Sequence, residues 1–399
     1  MLRRAACLTF TLLTACAAET PGIPAPEAHE PTLASVVLAE SEQTHSGPSD
    51  AARAFFFAQT ELYLAGADPA QNKPLADVLR AMGRGDLAEA AGSDNPGIAC
   101  PQLWVDPVEM MSQNVQDAHI VIIETERSAP AQIDFLGEIF GRLAEDGFTA
   151  YADDGLTLEP AGASHPGIPL VTEGLVTRDP GHGRLLRAVK SSGMTLVDAG
   201  IWWRGAADLA ALTPGEQATR RQLALADQLS RKVFWTNPYA RAVVHIESTD
   251  DPSGTTAFRD VVKRLTGFDP LVIGLITCSE MDERPAYLPS LGDEAGSAAR
   301  ADLVFALPRE TLKDGRMVSG RTETDTSVDL PDPFLTQDRP VLIEARRLNE
   351  PDLAVPEDRL LLLPGERLPL ILPPGEYRIE AWTRDGPLNA PVRVQVSPV

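Results

Sequence analysis

The 399 residues carry 35 Lys and Arg against 57 Asp and Glu, a net charge of -22. That balance repels phosphate backbones and anionic headgroups, which excludes nucleic acid as a partner and attachment to anionic lipid through a basic patch. With 43% hydrophobic residues the chain can bury a sizeable core, and its length allows about two domains.

Arg3 and Arg4 precede an apolar run, residues 5–13, that is too short to span a bilayer and ends in Leu13-Thr14-Ala15-Cys16. This layout predicts an export signal. The small residues before Cys16 resemble the bacterial lipobox, which implies a signal peptide over 1–15, cleavage before Cys16 and acyl chains (palmitate among them) on that cysteine. An ordinary secretory signal cut near Ala15 or Ala18 is the plainer alternative. Two or more chains anchor a protein stably where one does not. By analogy with lipoprotein sorting, Ala17 in place of Asp directs the product to the outer membrane, on its periplasmic face. Residues 16–48, with Pro21, Pro24, Pro26 and Pro31 among Ala, Glu and Thr, cannot bury enough surface to fold and read as a disordered tether. Cys7 and Cys16 belong to the signal, so Cys100 and Cys278 are left as a candidate disulfide in an oxidising compartment.

Helical spacing predicts helices over 50–66 and 74–92, the second interrupted at Gly83-Arg84-Gly85. From Ala118 strands and helices alternate. Strands are expected at 119–123, 149–152, 194–197, 241–246 and 271–276, with helices around 133–146, 185–192, 216–234 and 255–265 between them. Repeated βα units with apolar strands predict an α/β domain, a mostly parallel sheet with helices on both faces, over residues 49–280 together with the leading helices. Ligands of such sheets lie beyond the carboxyl ends of the strands. Residues 281–336 read as an irregular connection. From 337 to 399, short strands parted by Pro364-Gly365, Pro373-Pro374-Gly375 and Asp385-Gly386 predict a small antiparallel β module of sandwich type.

Ile122-Ile123-Glu124-Thr125-Glu126-Arg127 with Pro130 and Phe135, then Thr177-Arg178-Asp179-Pro180, Arg221 to Leu229 with Asn237-Pro238, Ala240 to His245 and Thr266-Gly267-Phe268-Asp269-Pro270 resemble, in order and spacing, the Tiki superfamily. That group includes erythromycin-esterase-like proteins and haem-binding uptake (ChaN-like) lipoproteins. The resemblance implies a Glu-x-His after the first strand and a His near the last helix, acting as base or metal ligand. Here Thr125 and Arg127 stand at the first two positions, Gln132 at a further His and Asp250 at the closing one. Arg127 cannot act as a base. His245 remains, inside an apolar strand, where a lone imidazole is more often a satisfied core residue. The expectation is therefore a degenerate, non-catalytic domain (a pseudoenzyme) that binds an unidentified ligand or protein partner, without an organic cofactor.

An acid follows every predicted strand: Glu124 and Glu126, Asp153 and Asp154, Asp198, Glu247 and Asp250, and Glu280. Most are expected to be loop residues or helix caps. The alternative to the non-catalytic reading is a hydrolase of altered chemistry using Glu124, Glu126, Asp154 and Asp250. A divalent cation, Ca²⁺ or Mg²⁺, could be held by Glu124, Asp154 and Asp250. Trp202-Trp203-Arg204 reads as core and rim packing or a cleft wall, and His182, between Gly181 and Gly183, as a loop residue able to reach a ligand. Haem would need a His or Tyr at the cleft, and only His182 offers one there.

Overall fold

A computed structural model describes residues 48–69, 72–89, 105–125, 129–158, 166–174, 179–199, 214–247, 252–278, 285–288, 301–308, 311–313, 316–318 and 325–398. Helices α1 (Pro48–Leu64), α2 (Lys73–Ala81), α3 (Gly85–Glu89) and α4 (Pro107–Asn114) come first. The alternating region follows: β1 (Ile120–Thr125), α5 (Pro130–Glu145), β2 (Ala150–Asp153), α6 (Pro180–Ser191), β3 (Thr195–Asp198), α7 (Pro214–Leu229, closed by a π-turn at Ser230–Phe234), β4 (Ala242–Glu247), α8 (Pro252–Thr266) and β5 (Leu271–Cys278). Then come β6 (Ala286–Leu288), β7 (Leu303–Pro308), β8 (Thr311–Lys313), β9 (Arg316–Val318), β10 (Thr326–Val328) and the single turn α9 (Asp332–Leu335). The chain ends with β11 (Val341–Arg347), β12 (Asp358–Leu362), β13 (Leu370–Leu372), β14 (Gly375–Thr383), β15 (Gly386–Pro387) and β16 (Val392–Val396).

Seven strands form one sheet in the order β3-β2-β4-β1-β5-β7-β6, parallel throughout except where β6 runs against β7. Near-continuous burial of β1, β2, β4 and β5 follows from helices on both faces. Val121, Ile123, Tyr151, Val243 and Ile273 pack under α5 and α6 through Ile133, Leu136, Phe140, Leu185 and Val189. Ile120, Ile122, Ala152, Val244 and Ile246 meet α7 and α8 through Leu225, Leu229, Phe258 and Val262. This is the expected α/β architecture. The stretch read as irregular contributes β7 to it, a buried Leu-Val-Phe-Ala-Leu strand in register with β5.

The C-terminal module is antiparallel, in the order β12-β11-β14-β15 with β16 also on β14, and β10 pairs with β13 beside it. Leu330, Phe334, Ile343, Leu360, Tyr377 and Ile379 fill one side. The other side, Leu342 and Leu361, is covered by Phe55, Phe56, Leu75, Leu79 and Met82 of α1 and α2. The leading helices therefore pack on the last sheet of the chain. Among the described residues no helix is long and apolar enough to cross a membrane.

The module also braces the main domain at α6. Gly183 faces Val355 so closely that a Cβ there would lie 2.5 Å from Val355 Cγ1. Arg187 on the same helix donates to Glu350 Oε2 at 2.7 Å and to the Val355 carbonyl at 2.6 Å. Arg184 donates to Asp134 at 2.8 Å. These contacts hold the amino end of α6 over the carboxyl ends of β2 and β4.

Candidate active site

β4 lies between β2 and β1, and in that register His245 sits beside Asp153 on one side and Ile123 on the other. Side chains two apart share a face, so Tyr151 and Asp153 of β2, His245 of β4 and Thr125 of β1 all project toward α5 and α6. The apolar strand thus carries one imidazole at the height where its neighbours end in polar groups.

His245 is 2% exposed and bonded at both nitrogens. Its Nδ1 lies 2.9 Å from Asp153 Oδ2 and 3.0 Å from Tyr151 Oη, and its Nε2 lies 2.7 Å from Thr125 Oγ1. Tyr151 donates to Asp153 Oδ2 at 2.7 Å, and the backbone N–H of Gly155 donates to Asp153 Oδ1 at 2.7 Å. Asp153 is wholly buried, and these donors offset the cost of desolvating its charge.

His182 comes from α6. Asp179 caps this helix by accepting from the His182 N–H at 3.0 Å, and Pro180 occupies the first turn, where its missing N–H costs nothing. The cap places His182 one turn in, with Nδ1 facing Asp179 Oδ2 at 3.4 Å. Burial alone would push the Asp179 carboxyl up. Hydrogen bonds and charge from His182, with Arg184, outweigh it and hold the carboxyl below its ordinary value. The His182 ring stacks on His245, with centroids 5.8 Å apart and 21° between planes. Its Nε2 is buried without a hydrogen-bond partner among the described residues. An unpaired buried nitrogen costs about 1–3 kcal/mol, and a ligand bound there would offset that cost.

One ligand atom each of Asp153, His182 and His245 lies within 4.8 Å of the others, all three residues buried. This cluster corrects the expectation of a degenerate, non-catalytic domain. His245 is not an idle core residue: the fold assembles an acid and two imidazoles at the sheet's carboxyl edge, a set that can hold an ion or move a proton. Imidazole donors also shift the metal class from the oxygen-bound Ca²⁺ and Mg²⁺ toward Zn²⁺ and its neighbours.

The acids singled out from sequence are placed differently. Glu124 pairs with Ile246, so it lies on the opposite face, buried. Asp154 is also buried and approaches Arg221 of α7 at 3.9 Å, and Arg221 binds Glu247 at 2.6 Å. Asp198 accepts from Lys232 at 2.6 Å and from the Leu158 N–H at 2.9 Å. Glu126, Arg127, Trp202, Trp203, Arg204, Asp250, Glu280 and Cys100 lie outside the described residues, as do Cys16 and the tether. Cys278 is disulfide-bonded, and its partner is not among the described residues.

Sequence reasoning reached Asp153 and His182 without joining them, and it assigned His245 to the core. Strand order was the missing link, since residues 92 apart become neighbours only because β2 adjoins β4. The local signal available was Asp179-Pro180-Gly181-His182, a cap followed by a helix start that presents a His.

The fold and cluster together define a parallel α/β domain with a buried two-histidine, one-aspartate centre. No family model and no curated protein matches the chain. Among solved structures, the type III effector HopBA1 is similar at 12% identity and a TM-score of 0.34, over 54% of this chain and 99% of that one. The 54 kDa signal recognition particle protein of Aeropyrum pernix K1, in complex with GDP, is similar at 14% identity and a TM-score of 0.21, over 62% of this chain and 51% of that one. Likenesses this distant carry no argument about activity.

Proposed function

We propose that the protein is a hydrolase whose centre is Asp153, His182 and His245, loaded with a divalent transition ion of the zinc type. The carrying observation is the buried cluster with ligand atoms within 4.8 Å. Ligands about 2.0–2.1 Å from a tetrahedral ion stand roughly 3.3 Å apart, so small rotations of His182 would close the set. His245 would bind through Nδ1 while its Nε2–H donates to Thr125, the outer hydrogen bond that sets tautomer and ring plane in such centres. A bound ion would supply a hydroxide near neutral pH and polarise a carbonyl or phosphoryl oxygen. Metal analysis of the purified chain, with ester, peptide and phosphoester substrates before and after chelation, tests this. Stoichiometric metal and a chelator-sensitive activity lost in H245A are expected. A metal-free protein whose H245A variant is unchanged would overturn it.

A second reading rests on the chain Asp153–His245–Thr125, with spacings of 2.9 and 2.7 Å. A carboxylate, an imidazole and a hydroxyl in that order can make the hydroxyl a nucleophile. Activity would then resist chelators, vanish in T125A and survive in T125S.

We further propose that the domain is a divergent Tiki-like hydrolase held at a membrane, on the periplasmic face of the outer membrane, by lipid on Cys16. The order and spacing of the motifs support the first part, and Arg3, Arg4 and Leu13-Thr14-Ala15-Cys16 support the second. Palmitate labelling that is lost in C16S tests the anchor, and a soluble wild-type product would sink it.

A further inference from the structure

Tyr151 completes the cluster geometrically. Its Oη is 2.7 Å from Asp153 Oδ2 and 3.0 Å from His245 Nδ1, and those two atoms are 2.9 Å apart. Three donor atoms therefore form a near-equilateral triangle whose edges approach the roughly 3.3 Å expected between ligands of one tetrahedral ion. The ring cannot turn aside: it packs edge-on to Phe140 at 5.0 Å and stacks on His245 at 6.4 Å, wholly buried. The strand register sets this arrangement, because Tyr151 and Asp153 are two apart on β2 and share its inner face.

We infer that Tyr151 is a fourth protein ligand of the ion proposed above, bound through its phenolate oxygen. On coordination the phenol O–H bond breaks, the metal–oxygen bond forms and the proton leaves to bulk solvent, with no change of oxidation state. Two imidazoles, a carboxylate and a phenolate make a harder donor set than a three-ligand zinc site. They suit ferric and cupric ions as well as zinc. The inference rests on the metal reading, and the two can fail separately.

The test is a Cu(II) sulfate titration of the metal-free full chain, followed by visible absorption and resonance Raman spectroscopy. Wild type should bind one copper and develop a phenolate-to-copper charge-transfer band with tyrosinate ring modes. In Y151F, which keeps the ring packed on Phe140, the band should vanish and affinity should fall at least about tenfold. Copper bound in a His182- and His245-dependent manner without the band, or with a band that survives Y151F, would overturn Tyr151 as a ligand and leave the metal centre standing. Absence of stoichiometric binding in wild type would overturn both.

Discussion

Two buried polar regions of this molecule are built on opposite logic. At the junction of α1 with the C-terminal sheet, Glu344 of β11 accepts from Arg53 at 2.9 Å, Arg346 at 2.9 Å and Arg359 at 2.9 Å. Arg53 lies over the Trp382 ring at 3.6 Å and Arg359 over Phe56 at 4.8 Å. Burial would push the Glu344 carboxyl up, but the three guanidinium groups outweigh it and hold it well below its ordinary value. At the carboxyl edge of the parallel sheet, the cluster instead joins Asp153 to His245 at 2.9 Å and buries His182 Nε2 without a hydrogen-bond partner among the described residues. The first region surrounds its one carboxylate with cations and so fastens the module. The second keeps an imidazole nitrogen available to a ligand.

The contrast is sharpest in a pair of substitutions. Glu344→Gln removes the shared anion from three buried arginines and should cost about 3–5 kcal/mol, the usual penalty for breaking a buried charge network from one side, read by urea unfolding. His182→Phe keeps a ring to stack on His245 and removes the unpaired nitrogen. Stability should hold or rise by about 1 kcal/mol, while metal affinity falls by more than about 100-fold. Equal destabilisation by the two would erase the distinction between the regions.

Smaller effects refine it. Thr125→Val should weaken metal binding about 10–100-fold, as loss of an outer hydrogen bond does, with T125S near wild type in an isothermal titration. A T125V that binds metal as wild type does would remove Thr125 from the site. The pH dependence of unfolding separates the regions further. The folded pKa of Glu344 lies below its ordinary 4.5, so its stabilisation is present above about pH 4.5 and is lost as pH falls through the folded value. Acid unfolding of wild type should carry this step and E344Q should lack it. Tyr377 is pushed up to about 12, by burial first and by Glu357 next, from 10.0. Its contribution is complete below pH 10 and disappears toward pH 12, so Y377F should flatten that alkaline loss, the least of these effects.

Much of the backbone was legible before folding. The five predicted strands correspond to β1 through β5, displaced by one or two residues at the ends. That small displacement had consequences, because Thr125 and Asp153 became strand residues with fixed faces instead of loop residues. β7 was missed for another reason: its apolar run sits in acidic, Arg-rich surroundings, and it forms a strand by pairing with β5. The partnership of α1 and α2 with β11 and β12 was likewise invisible, since Arg53 and Glu344 are 291 residues apart.

By itself the sequence determined the alternation of strand and helix, the parallel sheet and the antiparallel C-terminal module. Periodicity, turn residues and charge are local properties, and each can be read over a few residues. Only the tertiary structure decided that Asp153, His182 and His245 meet. Their contact depends on β2 adjoining β4 and on Val355 packing against Gly183 to seat α6. Such long-range choices are made by the packing of whole elements, and no window of sequence contains them.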